Sequence, residues 1–125
     1  WAAWIRVDGI NDPIKRYGSF WTMPQTSTDA EMLSAINGIW IAKQFGANGV
    51  LLQTDCLSVV HLIDGTTIKR KTKDRWIRYL ASAGILDIDL RAKHVRGHTK
   101  VDDARSYVNR WCDRNAKMAM REARK

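Results

Sequence analysis

An α/β fold, a mixed sheet flanked by helices, is predicted by three features of this 125-residue chain. Two short strand patterns joined by a turn open it. Helical and strand patterns then alternate to the end. Between them lies VLLQTD, residues 50–55, a short apolar run closed by an acid. Such a run reads as a buried strand whose last residue emerges outside the carboxyl ends of the strands, where open α/β sheets place their chemistry. The expected order is β-β-α-β-α-α-β-α in a single domain spanning residues 1–125.

Residues 2–7 and 14–23 form the opening hairpin, with Gly9, Asn11, Asp12 and Pro13 supplying turn chemistry in DGINDP. Asp8 is read as a turn residue. A helix starts sharply after it: Ser27 or Thr28 can cap, and Thr28 with Glu31 makes a T-x-x-E capping box. Met32, Leu33, Ile36, Ile39, Trp40 and Phe45 recur at helical spacing as its inward face, and Gly46 and Gly49 end it. After the strand, residues 57–63 suit a short helix stopped by Gly65. The basic connection TTIKRKTKDRW leads to a helix with Trp76, Ile77, Leu80 and Ala83 inward. Residues 87–95 alternate as a strand with one wetter side. The RGHTKVDD loop follows, and then a helix over 104–124 with Val108, Trp111, Cys112, Ala116 and Ala119 inward.

Composition narrows the function. No apolar run approaches the ~20 residues that cross a bilayer, and no signal peptide opens the chain, so a soluble, cytoplasmic protein is expected. Lys and Arg number 21 against 13 Asp and Glu, a formal charge of +8, which makes nucleic acid the default partner. Cys56 and Cys112 lack metal-ligand spacing and are read as reduced, mostly buried small residues.

Three acids stand out. Asp55 ends the apolar strand; Glu31 lies in the first turn of the helix before it; Asp113 joins them if the last helix crosses the same edge. Carboxylates meeting at one rim suit a hard divalent ion such as Mg²⁺. Each also has a plainer reading. Glu31 serves equally as a capping-box residue, Asp55 as the N-cap of the next helix, and Asp113 as a salt-bridge partner of Arg110 or Lys117.

The motifs TSTDAE, TD, RGHT and CDRNA, in that order along the chain, resemble the type 1 ribonuclease H family. The resemblance implies a ribonuclease H-like fold and hydrolysis of the RNA strand of RNA/DNA hybrids by two Mg²⁺ ions, for which Mn²⁺ substitutes. On it, Glu31, Asp55 and Asp113 are catalytic metal ligands. His98 assists proton transfer and product release, against the plain reading of an exposed loop histidine. Lys69, Arg70, Lys71, Lys73 and Arg75 correspond in position to a basic grip on DNA phosphates. Trp76 stacks on sugar or base, or is core. Ser27 and Thr28 occupy places that contact the RNA strand, where asparagines are common in the family. Two alternatives remain: a nucleic-acid-binding module of this fold without catalysis, and a related nuclease acting on structured DNA.

The element order lacks the family's first strand. The resemblance places that strand centrally in a five-stranded sheet, beside the strand corresponding to VLLQTD, and gives it the first metal-binding aspartate. The expectation is that a segment preceding Trp1, or another chain, supplies it, the protein being otherwise monomeric.

Overall fold

The computed structural model describes residues 1–20, 24–66, 68–95 and 104–123. The eight elements come in the expected order: β1 (Ala2–Ile5), β2 (Ile14–Tyr17), α1 (Ser27–Gln44), β3 (Gly49–Thr54), α2 (Leu57–Asp64), α3 (Arg70–Ser82), β4 (Asp89–His94) and α4 (Ala104–Ala123). Both opening strands are shorter than their patterns. Beyond Ile5 the chain enters a turn in which Ile10 N–H donates to the Val7 carbonyl at 3.1 Å, with Gly9 at φ +85°, so Asp8 is a turn residue.

The strands form two pairs. β1 and β2 are antiparallel, with Ala3 opposite Arg16 and Ile5 opposite Ile14. β3 and β4 are parallel, with Gly49 opposite Asp89 and Thr54 opposite His94. Among the described residues neither pair bonds to the other.

The hydrophobic core lies on the β3–β4 side. Met32, Ile36 and Ile39 of α1, Val59 of α2, and Trp76 and Leu80 of α3 pack with Ile85 and Ile88, over half-buried Val50, Leu52 and Leu90. Met32, Ile39, Ile85 and Val59 are fully buried, and each such side chain stabilises the fold by about 1.5–3 kcal/mol. Trp40 and Phe45, expected to face inward, are 46% and 43% exposed, while Ala35, Ile41 and Ala42 are buried instead. α1 is apolar on most of its circumference, so periodicity alone did not select the buried stripe. Ile77 is likewise exposed.

α4 packs against β1 and β2, away from that core. Trp4 meets Tyr107 and Trp111 edge-on, with ring centroids 5.7 and 5.4 Å apart, and Lys15 Nζ lies 4.4 Å above the Trp4 ring. Of the five α4 residues expected to face inward, Ala119 is buried and Val108, Trp111, Cys112 and Ala116 are half-buried. No helix among the described residues is long and apolar enough to cross a membrane.

Candidate functional site

A cleft of about 940 Å³ runs between β1 and β3, with Glu31, Asp55 and Asp113 among its lining residues. Three separate elements therefore deliver the three acids. Glu31 comes from the first turns of α1, Asp55 from the residue after β3, and Asp113 from the middle of α4.

The plainer readings of the first two do not hold. The α1 cap is Thr26, whose Oγ1 accepts from Asp29 N–H at 3.1 Å, so neither Ser27, Thr28 nor Glu31 serves in a capping box. The α2 N-cap position is held by Cys56, with no side-chain cap bond, and Thr54 Oγ1 accepts from Cys56 N–H at 3.1 Å. Asp55 is thus exposed at the rim with no capping duty. For Asp113 the plainer reading stands: its Oδ2 lies 3.1 Å from Lys117 Nζ, one turn along α4.

The acids feel one another. The Glu31 carboxyl is held above the usual carboxylate range, first by the protein that crowds it on the cleft wall and then by the negative charges of Asp55 and Asp113; the Trp1 ammonium partly offsets this. Burial lowers the Trp1 ammonium, and Glu31 partly restores it. The Cys56 thiol is pushed up, mainly by burial and less by Glu31 and Asp55, against backbone hydrogen bonds from Val59 and Ser58. Burial raises Cys112 to about 11. Neither cysteine is a thiolate at neutral pH, and both are free and half-buried.

Hard carboxylate oxygens that repel one another have the donor chemistry a divalent cation requires. Their spacing does not yet close on one ion. Among the described residues no three His, Cys, Asp or Glu side chains stand together as a metal-holding group. Each acid sits on a different wall of the cleft, and Asp113 is drawn toward Lys117.

His98 and the rest of RGHTKVDD lie outside the described residues. A histidine not singled out in the sequence lies at the rim instead: His94, the last residue of β4. His94 Nε2 donates to the Asp55 carbonyl at 3.2 Å, which places Asp55 against the end of β4. The parallel register that sets Thr54 beside His94 is the cause, and nothing in the local sequence announces it.

The basic residues divide. Lys69, Arg70, Lys71 and Lys73 are exposed. They occupy the N-cap and first turn of α3, not a connection before it, and that turn holds no acid. Cations there oppose the positive end of the helix macrodipole, and Asp74, one turn along α3, lies 4.0 Å from Arg70. Arg75 is committed elsewhere: its Nη1 lies 2.9 and 3.0 Å from the two carboxyl oxygens of Asp29, which is 4% exposed. That pair ties the start of α1 to α3. Trp76 is 4% exposed and packs in the core, so it has no face for stacking on a base or sugar. Both are corrections to the expected nucleic-acid contacts, and both arise because the basic run is helical and turns every third or fourth residue inward.

A family model described as reverse transcriptase-like matches residues 5–83, which takes in Glu31, Asp55 and α3. Asp113 lies beyond it. No curated protein and no solved structure gives a significant match. The match spans more than half of the chain, and the alternating strands and helices agree with it: the chain belongs to the reverse transcriptase-like family, a member of the ribonuclease H-like superfamily.

Proposed function

We propose that the domain is a metal-dependent endonuclease that hydrolyses the RNA strand of RNA/DNA hybrids, leaving 3′-hydroxyl and 5′-phosphate ends. What supports this reading is that Glu31, Asp55 and Asp113 all line one cleft, where burial first, and then the charges of Asp55 and Asp113, push the Glu31 carboxyl up. Family membership supports nuclease chemistry in general terms.

Glu31, Asp55 and Asp113 would hold a pair of Mg²⁺ ions, or Mn²⁺ in their place, which when bound would supply an activated water and neutralise charge on the leaving oxygen. The chain's own part is to hold and position. Glu31, Asp55 and Asp113 present the oxygen donors. His94 holds the Asp55 backbone in place from the neighbouring strand. His98 is assigned the transfer of a proton to the leaving group. Lys69, Arg70, Lys71 and Lys73 take the phosphates of the DNA strand, and an anion there relieves their conflict with the α3 dipole. Ser27 and Thr28, released from capping, offer hydroxyls to the RNA strand at the start of α1.

Incubation of the protein with labelled hybrid, duplex DNA and duplex RNA, with and without Mg²⁺, tests the reading. The expected result is cleavage of hybrid alone, requiring metal and reduced on the order of 100-fold or more by Asp55→Asn. Full activity in that variant would reject the assignment. One observation favours a second reading, a binding module without catalysis: the absence of a metal-holding group among the described residues. Retention of hybrid without cleavage at any Mg²⁺ or Mn²⁺ concentration would select it.

A further inference from the structure

We infer that the α4-side face of the β1–β2 hairpin, with the stripe of α4 beside it, is a platform for single-stranded nucleic acid, in which Tyr17 and Tyr107 stack on bases and Lys15 and Arg114 meet phosphates. The inference stands apart from the nuclease reading, since none of these four residues lines the cleft that holds the acids.

The two faces of the hairpin are covered differently. On one, the Ala3 methyl lies against Gly38 of α1, and Ile14, on the same side by register, is buried. The other face carries Ala2 and Trp4, with Tyr17 and Lys15 directly across from them. α4 covers this second face only in part. Trp4 takes the edges of Tyr107 and Trp111, yet Tyr107 and Tyr17 remain 51% and 50% exposed.

The charges beside those rings decide what the surface suits. Lys15 Nζ sits 4.4 Å above the Trp4 ring, which fixes the ammonium while the residue stays exposed and its N–H groups can donate outward. Residues 107, 111 and 114 fall on one side of α4, so exposed Arg114 continues the stripe past Tyr107 and Trp111. Asp113 turns toward the cleft instead, and Glu122 lies about two turns beyond Arg114. Among the described residues no acid pairs with Lys15 or Arg114. Open rings interleaved with unopposed cations match a polyanion whose bases are unpaired and can stack. A duplex keeps its bases stacked on one another and has none to offer these rings. The formal charge of +8 favours a polyanion over a folded partner of ordinary charge.

The test is the fluorescence anisotropy of labelled oligo(dT) and oligo(U) of about twelve nucleotides, and of a blunt duplex DNA, without divalent metal so that no cleavage intervenes. Tyr17→Thr keeps strand propensity, and Tyr107→Leu keeps an apolar contact on Trp4. Each should weaken binding of both oligonucleotides at least about fivefold and change duplex affinity less than about twofold. Tyr17→Phe and Tyr107→Phe should bind as the unmodified protein does, since the ring and not the hydroxyl carries the contact. Lys15→Gln should reduce the slope of log affinity against log salt by about 0.7. A loss confined to one oligonucleotide would keep the platform and assign its sugar. Unchanged affinity for both oligonucleotides in Tyr17→Thr and Tyr107→Leu would overturn the inference and leave the rings to a protein partner. Equal losses on duplex and single strands would overturn it, as would binding of neither oligonucleotide up to ~100 μM protein. Because the readout is binding without metal, failure here and failure of the nuclease reading are distinguishable.

Discussion

The two halves of this molecule are held together differently. Around β3–β4, three helices close over side chains that are wholly excluded from water, and a buried ion pair, Asp29 with Arg75, clamps two of them. Around β1–β2, α1 and α4 both pack on a hairpin of two four-residue strands, which α4 meets through edge-on aromatics. There the Trp4 indole nitrogen is buried with no hydrogen-bond acceptor among the described residues. The acids stand along the boundary. The comparison teaches that the fully buried packing belongs to the first half, while the three acids line the cleft at its boundary.

Substitutions can break or sharpen that contrast. The largest effect is expected from Ile39→Ala, which leaves a cavity in the first half and should cost about 3–4 kcal/mol in denaturant unfolding. Val108→Ala, half-buried in α4, should cost only about 1 kcal/mol. Equal costs would erase the distinction. Arg75→Ala strands the buried Asp29 carboxylate and should cost about 2–3 kcal/mol, below the roughly 3–5 kcal/mol of a fully buried pair because Arg75 keeps some contact with solvent.

Glu31→Gln should act in the opposite sense. The folded protein holds the Glu31 proton to higher pH than the unfolded chain does, so this group favours folding while protonated. That contribution is lost as pH rises from the ordinary value of 4.5 through the raised one. The substitution should flatten the stability profile over that window and raise Tm at pH 7 by on the order of 1–2 °C, less in high salt. A lowered Tm at pH 7 would mean that Glu31 is paired, not crowded. The smallest effect belongs to Lys43→Ala, which removes an exposed pair with Asp87 at 3.1 Å. The hydrogen bond from Lys43 depresses the Asp87 pKa, so its share of stability is present above the ordinary carboxylate range and fades as pH falls through the depressed value. The shift in Tm should be under about 2 °C.

Much of the fold was legible because its signals are local. Gly65 at φ +77° stops α2 where the pattern placed it, and VLLQTD ends in an acid at a sheet rim. What was not legible depended on neighbours distant in the chain. Thr26, Ser27 and Thr28 are three adjacent hydroxyl residues, and spacing alone could not choose the capping one. The basic run reads as a loop by charge but is helical, because Lys and Arg are good helix formers. Arg75 appeared free for phosphate until Asp29, 46 residues away, was found beside it. The convergence of Glu31 and Asp55 was readable from a helix start and a strand end, whereas the tie of Asp113 to Lys117 was one of two i-spacings open to it.

The most direct test of the central claim, that three acids from three elements share one electrostatic site, is an NMR titration of the Glu31 carboxyl in the unmodified protein, Asp55→Asn and Asp113→Asn. The expected outcome is an elevated pKa that falls in each variant, more with Asp55 than with Asp113, and falls in the unmodified protein when Mg²⁺ is added. A Glu31 pKa indifferent to both substitutions and to Mg²⁺ would contradict it.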